Sequence, residues 1–343
     1  MNATSESLLQ KADSTVGTVI TNQQIEELPL NGGNSGRDYL QLAGLSAGTS
    51  TSSTGSVVIG GQAGTQAAFL LDGVDNNNQQ ISTSHSGQKE IIKPSVDAIN
   101  EFKVVTNGYS ADIGRSSSGV ISVQIKSGAN QLHGSAYEFI RNDAVDARNY
   151  FATKQLPFKY NDFGGTLGGP IHKNKVFLFG DLEFFRLRSQ SPVYSLVPTE
   201  DQRSGQFSTA IYNPYTYNPA TKSRTAYAGN FINTPLDPVA IAVLNYIPQP
   251  NFTPTALVPN SNYLYNSPSN ANNYRYDVRS DQVLGSTQTL FERYSSQQTR
   301  DGVAANLAPL NGNYVQGSGA QNSYNQAFVV GYNNAISPRF CSR

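Results

Sequence analysis

Tryptophan is absent from this chain, methionine occurs only as Met1, and cysteine only as Cys341. A single cysteine excludes an internal disulfide framework and any cysteine-based metal site. No window of about 18 apolar residues exists, which excludes a transmembrane helix but not a membrane-crossing strand. Charge is scarce and balanced, with 24 Lys and Arg against 24 Asp and Glu making up 14% of 343 residues. That balance argues against a nucleic-acid partner. The three histidines, His85, His133 and His172, fall in separate elements without ligand spacing, so no metal site is expected. No phosphate-cradling loop or dinucleotide fingerprint occurs, and no cofactor is expected.

Two short motifs point to chemistry and fail their context tests. Gly44-Leu45-Ser46-Ala47-Gly48 matches the G-x-S-x-G elbow of hydrolases, which needs a strand before the serine and a helix after it. Here a helical pattern precedes and a Ser/Thr loop follows, so no catalytic residue is assigned and no enzyme activity is expected. Asp72–Asn77 hints at a calcium loop but lacks the EF-hand glycine and closing glutamate. A strand-ending turn is the better account.

What is abundant is Tyr (19), Phe (16) and Gly (30), in a chain of mean hydropathy −0.40. Such a composition suits a β-barrel wall, apolar toward lipid and polar toward its lumen. Strand periodicity organises the chain from Ser95 onward. A helical turn begins at Pro94, a strand is expected over Glu101–Thr106, a glycine-punctuated turn follows, and Val120–Lys126 alternates as a second strand. Upstream, Thr15–Thr21 reads as extended and leads to a short helix. Asp38–Leu45 has helical spacing with Asp38 as N-cap, and Val57–Ile59 and Phe69–Leu71 read as short strands.

Beyond Leu132 the strands lengthen. They are expected at Leu132–Arg141, Asp162–Ile171, Val176–Arg188, Tyr274–Val283, Thr289–Gln298 and Ser323–Asn333. In the fourth, Tyr274, Tyr276 and Val278 alternate with Arg275, Asp277, Arg279 and Asp281. An aromatic-ended lipid face opposite a charged lumen face is the barrel pattern. Connections alternate between short (His172–Lys175, Gly285–Gln288, Asn334–Pro338) and long (Asn142–Asn161, Ser189–Asn273, Thr299–Asn322), as short periplasmic turns and long external loops do. The aromatic run Tyr212–Tyr227 in the longest loop is either a stacking surface for glycans or peptides or an ordered loop held by its tyrosines and prolines.

Several motifs together resemble the plug domain of TonB-dependent outer-membrane receptors. They are Asp97, Ile99, Glu101, Phe102 and Val104, then Tyr109 and Gly114, then Gly119, Val120, Ile121, Val123, Lys126 and Gly128, preceded by Phe69–Asn78 (FLLDGVDNNN). Leu28–Gly32 (LPLNG) and Gly164–Phe179 (GGTLGGPIHKNKVFLF) resemble the Oar-like branch of that family. The resemblance implies an α+β plug domain, a small mixed sheet with short helices, over residues 1–130. Antiparallel transmembrane strands of a partial, unclosed β-barrel would fill 131–343. It implies outer-membrane localisation, contact with outer-membrane lipid, a TonB-type periplasmic partner, and an extracellular substrate such as an oligosaccharide, peptide or chelate. Met1–Gln10 lacks a signal-peptide pattern, and the chain stops at ISPRFCSR without a terminal aromatic strand. A fragment of a longer receptor is therefore expected.

The family's apical plug loops imply substrate contact by Gln62, Gln66, Asn76, Asn77, Asn78, Gln79 and His85. Two functions follow: an energy-coupled importer, or a non-transporting surface protein, an adhesin or matrix-binding barrel that keeps a plug-like gate.

Overall fold

The computed structural model describes residues 16–30, 36–51, 57–62, 66–78, 90–109, 113, 116–148, 155–302, 305, 307–308, 320–337 and 340–342. Within them the expected architecture holds: a small mixed sheet with short helices, then antiparallel strands in an unclosed sheet.

The first sheet uses β1 (Val16–Thr21), β4 (Ala68–Leu71), β5 (Val74–Asp75), β6 (Ile99–Asn107) and β7 (Val120–Ile125), in the order β1-β6-β7-β4-β5. A two-stranded ribbon, β2 (Thr49–Thr51) with β3 (Val57–Ile59), stands beside it. All pairings in the first sheet are antiparallel except β4 with β7. Its apolar face carries Phe69, Leu71, Phe102, Val104, Ile121 and Val123, packed on Tyr39, Leu42, Ile59 and Val96. Each such side chain taken out of water contributes about 1.5–3 kcal/mol, so this core holds the unit together. The 3-10 turn Tyr39–Leu45 starts where expected, with the Asp38 side chain accepting from the Leu40 amide. It delivers the Tyr39 ring edge-on to Phe102, centroids 5.3 Å apart.

Asp72 and Gly73 close the β4–β5 hairpin with φ values of +50° and +80°. Two consecutive positive φ values make the turn that matches strand twist, and Asp-Gly is the pair that adopts it at least cost. The expected strand-ending turn is therefore present.

The second sheet is an antiparallel meander of β8 (His133–Asn142), β9 (Phe158–His172), β10 (Val176–Ser195), β11 (Tyr263–Val283), β12 (Gln288–Gly302), β13 (Ala320–Ser337) and β14 (Phe340–Ser342). Six of these are the expected strands, and β14 adds a short seventh. Along β10 the residues Phe179, Asp181, Glu183, Phe185 and Leu187 are buried toward the first sheet, while Leu178 and Leu182 point outward and are exposed. On β13 the outward set is Tyr324, Phe328, Val330 and Tyr332. Rings line up across the outer face, Phe163 stacked on Phe184 at 5.4 Å and Phe184 edge-on to Tyr274 at 5.7 Å. Tyr276 and Tyr294 lie one register step below, at 6.1 Å. Such a ring belt marks the membrane interface.

β10 and β11 continue well above that belt, paired up to Ser195 with Tyr263. The long loop is therefore shorter than expected. Pro192 and Pro268 lie in this extension, where β10 has already left β9 and β11 has not yet met β12. Among the described residues each strand there has one open edge, the position in which a proline costs no ladder hydrogen bond.

Candidate functional site

The first sheet and its turns rest against the inner face of the second through charged and amide groups. Asp72, displayed by the β4–β5 turn, is the centre of one contact. Its Oδ1 lies 3.2 Å from Arg279 Nη1 and accepts from the Ile125 amide at 3.0 Å. Its Oδ2 lies 2.9 Å from Arg293 Nε, an ion pair without hydrogen-bond alignment. Arg279 also donates to the Ile125 carbonyl at 3.2 Å and pairs with Asp281 at 2.9 Å. Burial raises the Asp72 pKa, and the two guanidiniums pull it part of the way back.

Arg37 makes the second contact. Its guanidinium pairs with Asp97, and its backbone N–H donates to Asp162 Oδ2 at 3.2 Å. The same guanidinium lies 4.3 Å from the Tyr137 ring centroid and 4.4 Å from that of Phe139. It is thus held by charge on one side and by ring faces on the other. Burial alone would lower the Arg37 pKa, but the carboxylates of Asp97 and Asp162 raise it instead. Gly164 makes room for this arrangement. A Cβ there would sit 2.2 Å from the Leu182 carbonyl oxygen and 2.7 Å from the Tyr137 hydroxyl.

The third contact is the segment Glu90–Lys93. Asn325 donates to the Ile91 carbonyl at 2.9 Å, and the Lys93 amide donates to Gln297 Oε1 at 2.9 Å. The Lys93 ammonium reaches Asp38 at 2.5 Å. Tyr39 donates its hydroxyl proton to Glu90. Burial pushes the Glu90 carboxyl up from an ordinary 4.5 to about 7, against the pull of Lys93 and the Tyr39 hydroxyl. Burial also lifts the Tyr39 phenol well above its ordinary range, helped by the Glu90 charge. On the wall itself Glu183 pairs with Arg275. Asp181 faces Asp277 in register, both buried. Ser295 donates to Asp277.

Gln62 and Gln66 are exposed, and Gln66 Oε1 accepts from Ser117 at 3.0 Å. Asn76 is buried. Its amide donates to the Ile92 carbonyl at 2.7 Å and accepts from the Ile92 amide at 2.9 Å, which anchors the third contact. Asn77 accepts from the Phe69 amide at 3.1 Å, and Asn78 is half-buried beside it. Gln79 and His85 lie outside the described residues. Ser46 of the hydrolase-like motif is buried at the C-terminal end of the 3-10 turn, and β2 rather than a helix follows it. Among the described residues no group of three or more His, Cys, Asp or Glu could hold a metal ion. No helix among them is long and apolar enough to cross a membrane.

Sequence reasoning did not single out Arg37, Lys93 or Glu90. The available signal was their rarity, charged residues in a chain with so few, but partners such as Asp162 lie far away along the chain.

A buried polar seam between a small mixed sheet and the inner face of a strand wall belted with aromatic rings defines a plugged outer-membrane barrel. Residues 124–342 match the outer membrane beta barrel domain family, and the chain belongs to it; its place is the cell outer membrane. It is 27% identical over 178 residues to the TonB-dependent transporter Oar of Myxococcus xanthus, covering 48% of this chain and 16% of that protein. The fold is similar to part of the ferric enterobactin receptor PfeA from Pseudomonas aeruginosa, solved as the R480A mutant with enterobactin (TM-score 0.51, 12% identity, 94% of this chain and 39% of that one). The same receptor in complex with BCV-L6 matches equally well. The chain thus spans well under half the length of these relatives.

Proposed function

We propose that this chain is the plug and opening wall of a TonB-dependent receptor that imports a specific substrate by energy-coupled movement of the plug. Residues 1–130 act as the plug and 131–343 supply the first barrel strands with long external loops. A TonB-type protein in the periplasm pulls, outer-membrane lipid surrounds the wall, and an oligosaccharide, peptide or chelate is the cargo. The observation that carries this reading is the seam itself. Asp72, Arg37 and Lys93 seat the plug on the wall through directional polar contacts, which can be broken and remade without exposing the plug's own apolar core. A passive pore has no use for such a seat.

Substrate contact is assigned to the plug loops bearing Gln62, Gln66, Asn76, Asn77, Asn78, Gln79 and His85. Uncharged amides there hydrogen-bond a ligand without the desolvation cost of an ion. Asn76 contributes by fixing the loop onto Ile92. The test uses the full-length receptor. Alanine at Asn77–Gln79, leaving the buried anchor Asn76 in place, and separately at the exposed Gln62 and Gln66, is expected to weaken substrate binding while outer-membrane expression stays unchanged. Unchanged affinity in both variants moves the site to the long loops. Uptake that persists in cells lacking the energy-coupling protein would refute the importer.

A further inference from the structure

The longest external connection is built rather than slack. Residues 211–227 form a hairpin closed by Asn213 N–H to Thr225 O at 2.9 Å, Tyr227 N–H to Ile211 O at 3.0 Å and Asn218 N–H to Ser223 O at 2.9 Å. Side chains lock it further. Asn213 Oδ1 accepts from the Tyr215 amide at 3.0 Å, and Thr216 Oγ1 accepts from the Thr225 amide at 2.9 Å. Its base continues into the Gln206–Phe231 bridge. Behind that bridge Arg203 donates to the carbonyls of Pro198, Leu244, Ile247 and Pro248, at 2.6 to 3.1 Å.

On this fixed frame Tyr215 is 95% exposed, and Tyr212 and Tyr217 are each more than half exposed. Lys222 and Arg224 are also exposed, and Arg224 lies 5.2 Å from the Tyr217 ring centroid. No Asp or Glu occurs between Asp201 and Asp237.

We propose that this hairpin is a capture site for an acidic oligosaccharide, a glycan whose pyranose faces stack on the tyrosines while its carboxylates meet Lys222 and Arg224. Tyrosine rings offer a flat apolar face with a polar rim. A pre-ordered frame loses little freedom when a ligand binds. The all-positive charge of the hairpin selects carboxylate-bearing sugars over neutral ones. The inference deepens the importer reading and depends on it only for placing the long loops outside the cell. Binding is measured without the energy-coupling protein, so failed binding and failed uptake are separate results.

The experiment titrates oligogalacturonate, and a neutral galactan oligomer of the same length, against full-length receptor in detergent. The acidic oligomer is expected to bind at least tenfold more tightly, with affinity falling as salt rises. Tyr215→Ala, at a position that contributes no packing, is expected to lose at least tenfold. Lys222→Gln with Arg224→Gln is expected to abolish the preference for the acidic oligomer. Equal affinity for both oligomers would overturn the proposal. So would an affinity untouched by Tyr215→Ala, or protection of Tyr215 from nitration in the unliganded receptor, which would show the hairpin covered by the rest of the protein.

Discussion

Replacing Asp72 by Asn tests the seam at its most connected point. The carboxylate is 4% exposed and faces two guanidiniums, with Arg293 itself only 2% exposed. Breaking a buried pair by neutralising one partner leaves the other charge stranded, at a cost of about 3–5 kcal/mol. Arg279 keeps Asp281, and Arg293 keeps the Ser295 hydroxyl at 2.9 Å, so the lower bound applies. A loss of about 3 kcal/mol raises the population of the unseated plug roughly 150-fold. Hydrogen exchange at the Lys93 amide, which donates across the seam to Gln297 at 2.9 Å, followed by mass spectrometry in detergent, reads this directly. Its protection is expected to fall by about two decades while β7, β10 and β11 are unchanged, since their own ladders do not depend on Asp72. Pairing Asp72→Asn with Arg293→Met removes both charges, which replacement of a buried pair tolerates, and is expected to restore most of the protection. If the single variant changed exchange at the Lys93 amide by less than fivefold, the ion pairs would not be what seats the plug.

Three further outcomes are expected. Because burial holds the Glu90 carboxyl near pH 7 rather than 4.5, the folded plug retains a proton that the unfolded chain releases. Stability should therefore fall as pH rises from about 4.5 to about 7, by up to about 3 kcal/mol, and Glu90→Gln should flatten a denaturant midpoint against pH profile. Leu182→Arg puts a charge on the exposed outer face of β10 and should cost about 2–4 kcal/mol if near the bilayer midplane. It should be read as lost heat-modifiable barrel on a gel of the full-length receptor, whereas Tyr194→Arg, above the ring belt, should be tolerated. Expressed alone, the 343-residue chain has open ladder edges on β8 and β14, each unpaired group costing several kcal/mol in hydrocarbon. It should be insoluble without denaturant, and a monodisperse detergent-free monomer would refute a membrane wall.

The parts of the fold legible in the sequence are those where one physical environment acts on alternate residues. Tyr274–Val283 sits between lipid and a charged lumen, so its pattern is clean and β11 was found there. Above the ring belt β11 still buries Tyr263, Ser267, Ala271 and Asn273, but that face mixes polar and apolar residues, so Ser189–Ser195 and Tyr263–Asn273 show no hydrophobic alternation to read. Cross-strand pairing extends the ladder there. Asp72-Gly73 was legible as a turn because two positive φ values demand that composition. That its carboxylate clamps Arg279 and Arg293 was not, since those partners lie more than 200 residues on. The parallel pairing of β4 with β7 and the contact of Arg37 with the Tyr137 and Phe139 rings were hidden for the same reason. Local pattern reports environment, not partner.

The chemistry of the seam also bears on how a plug can be strong and removable at once. The plug's apolar side chains are buried largely among themselves, with the wall adding little beyond Phe179 and Ala327. Separating the two sheets would then expose little hydrocarbon, and the resistance comes from short-range contacts that fail together once geometry is lost. The charges there are unequal in number. Among the described residues Asp38, Asp72, Glu90, Asp97, Asp162, Asp181, Glu183 and Asp277 stand against Arg37, Lys93, Arg275, Arg279 and Arg293. A buried surplus of carboxylates is tolerated only while protons or precise donors neutralise it. Water entering at one contact would hydrate the surplus and weaken the next, so under the proposed pull separation would propagate along the seam rather than through the core.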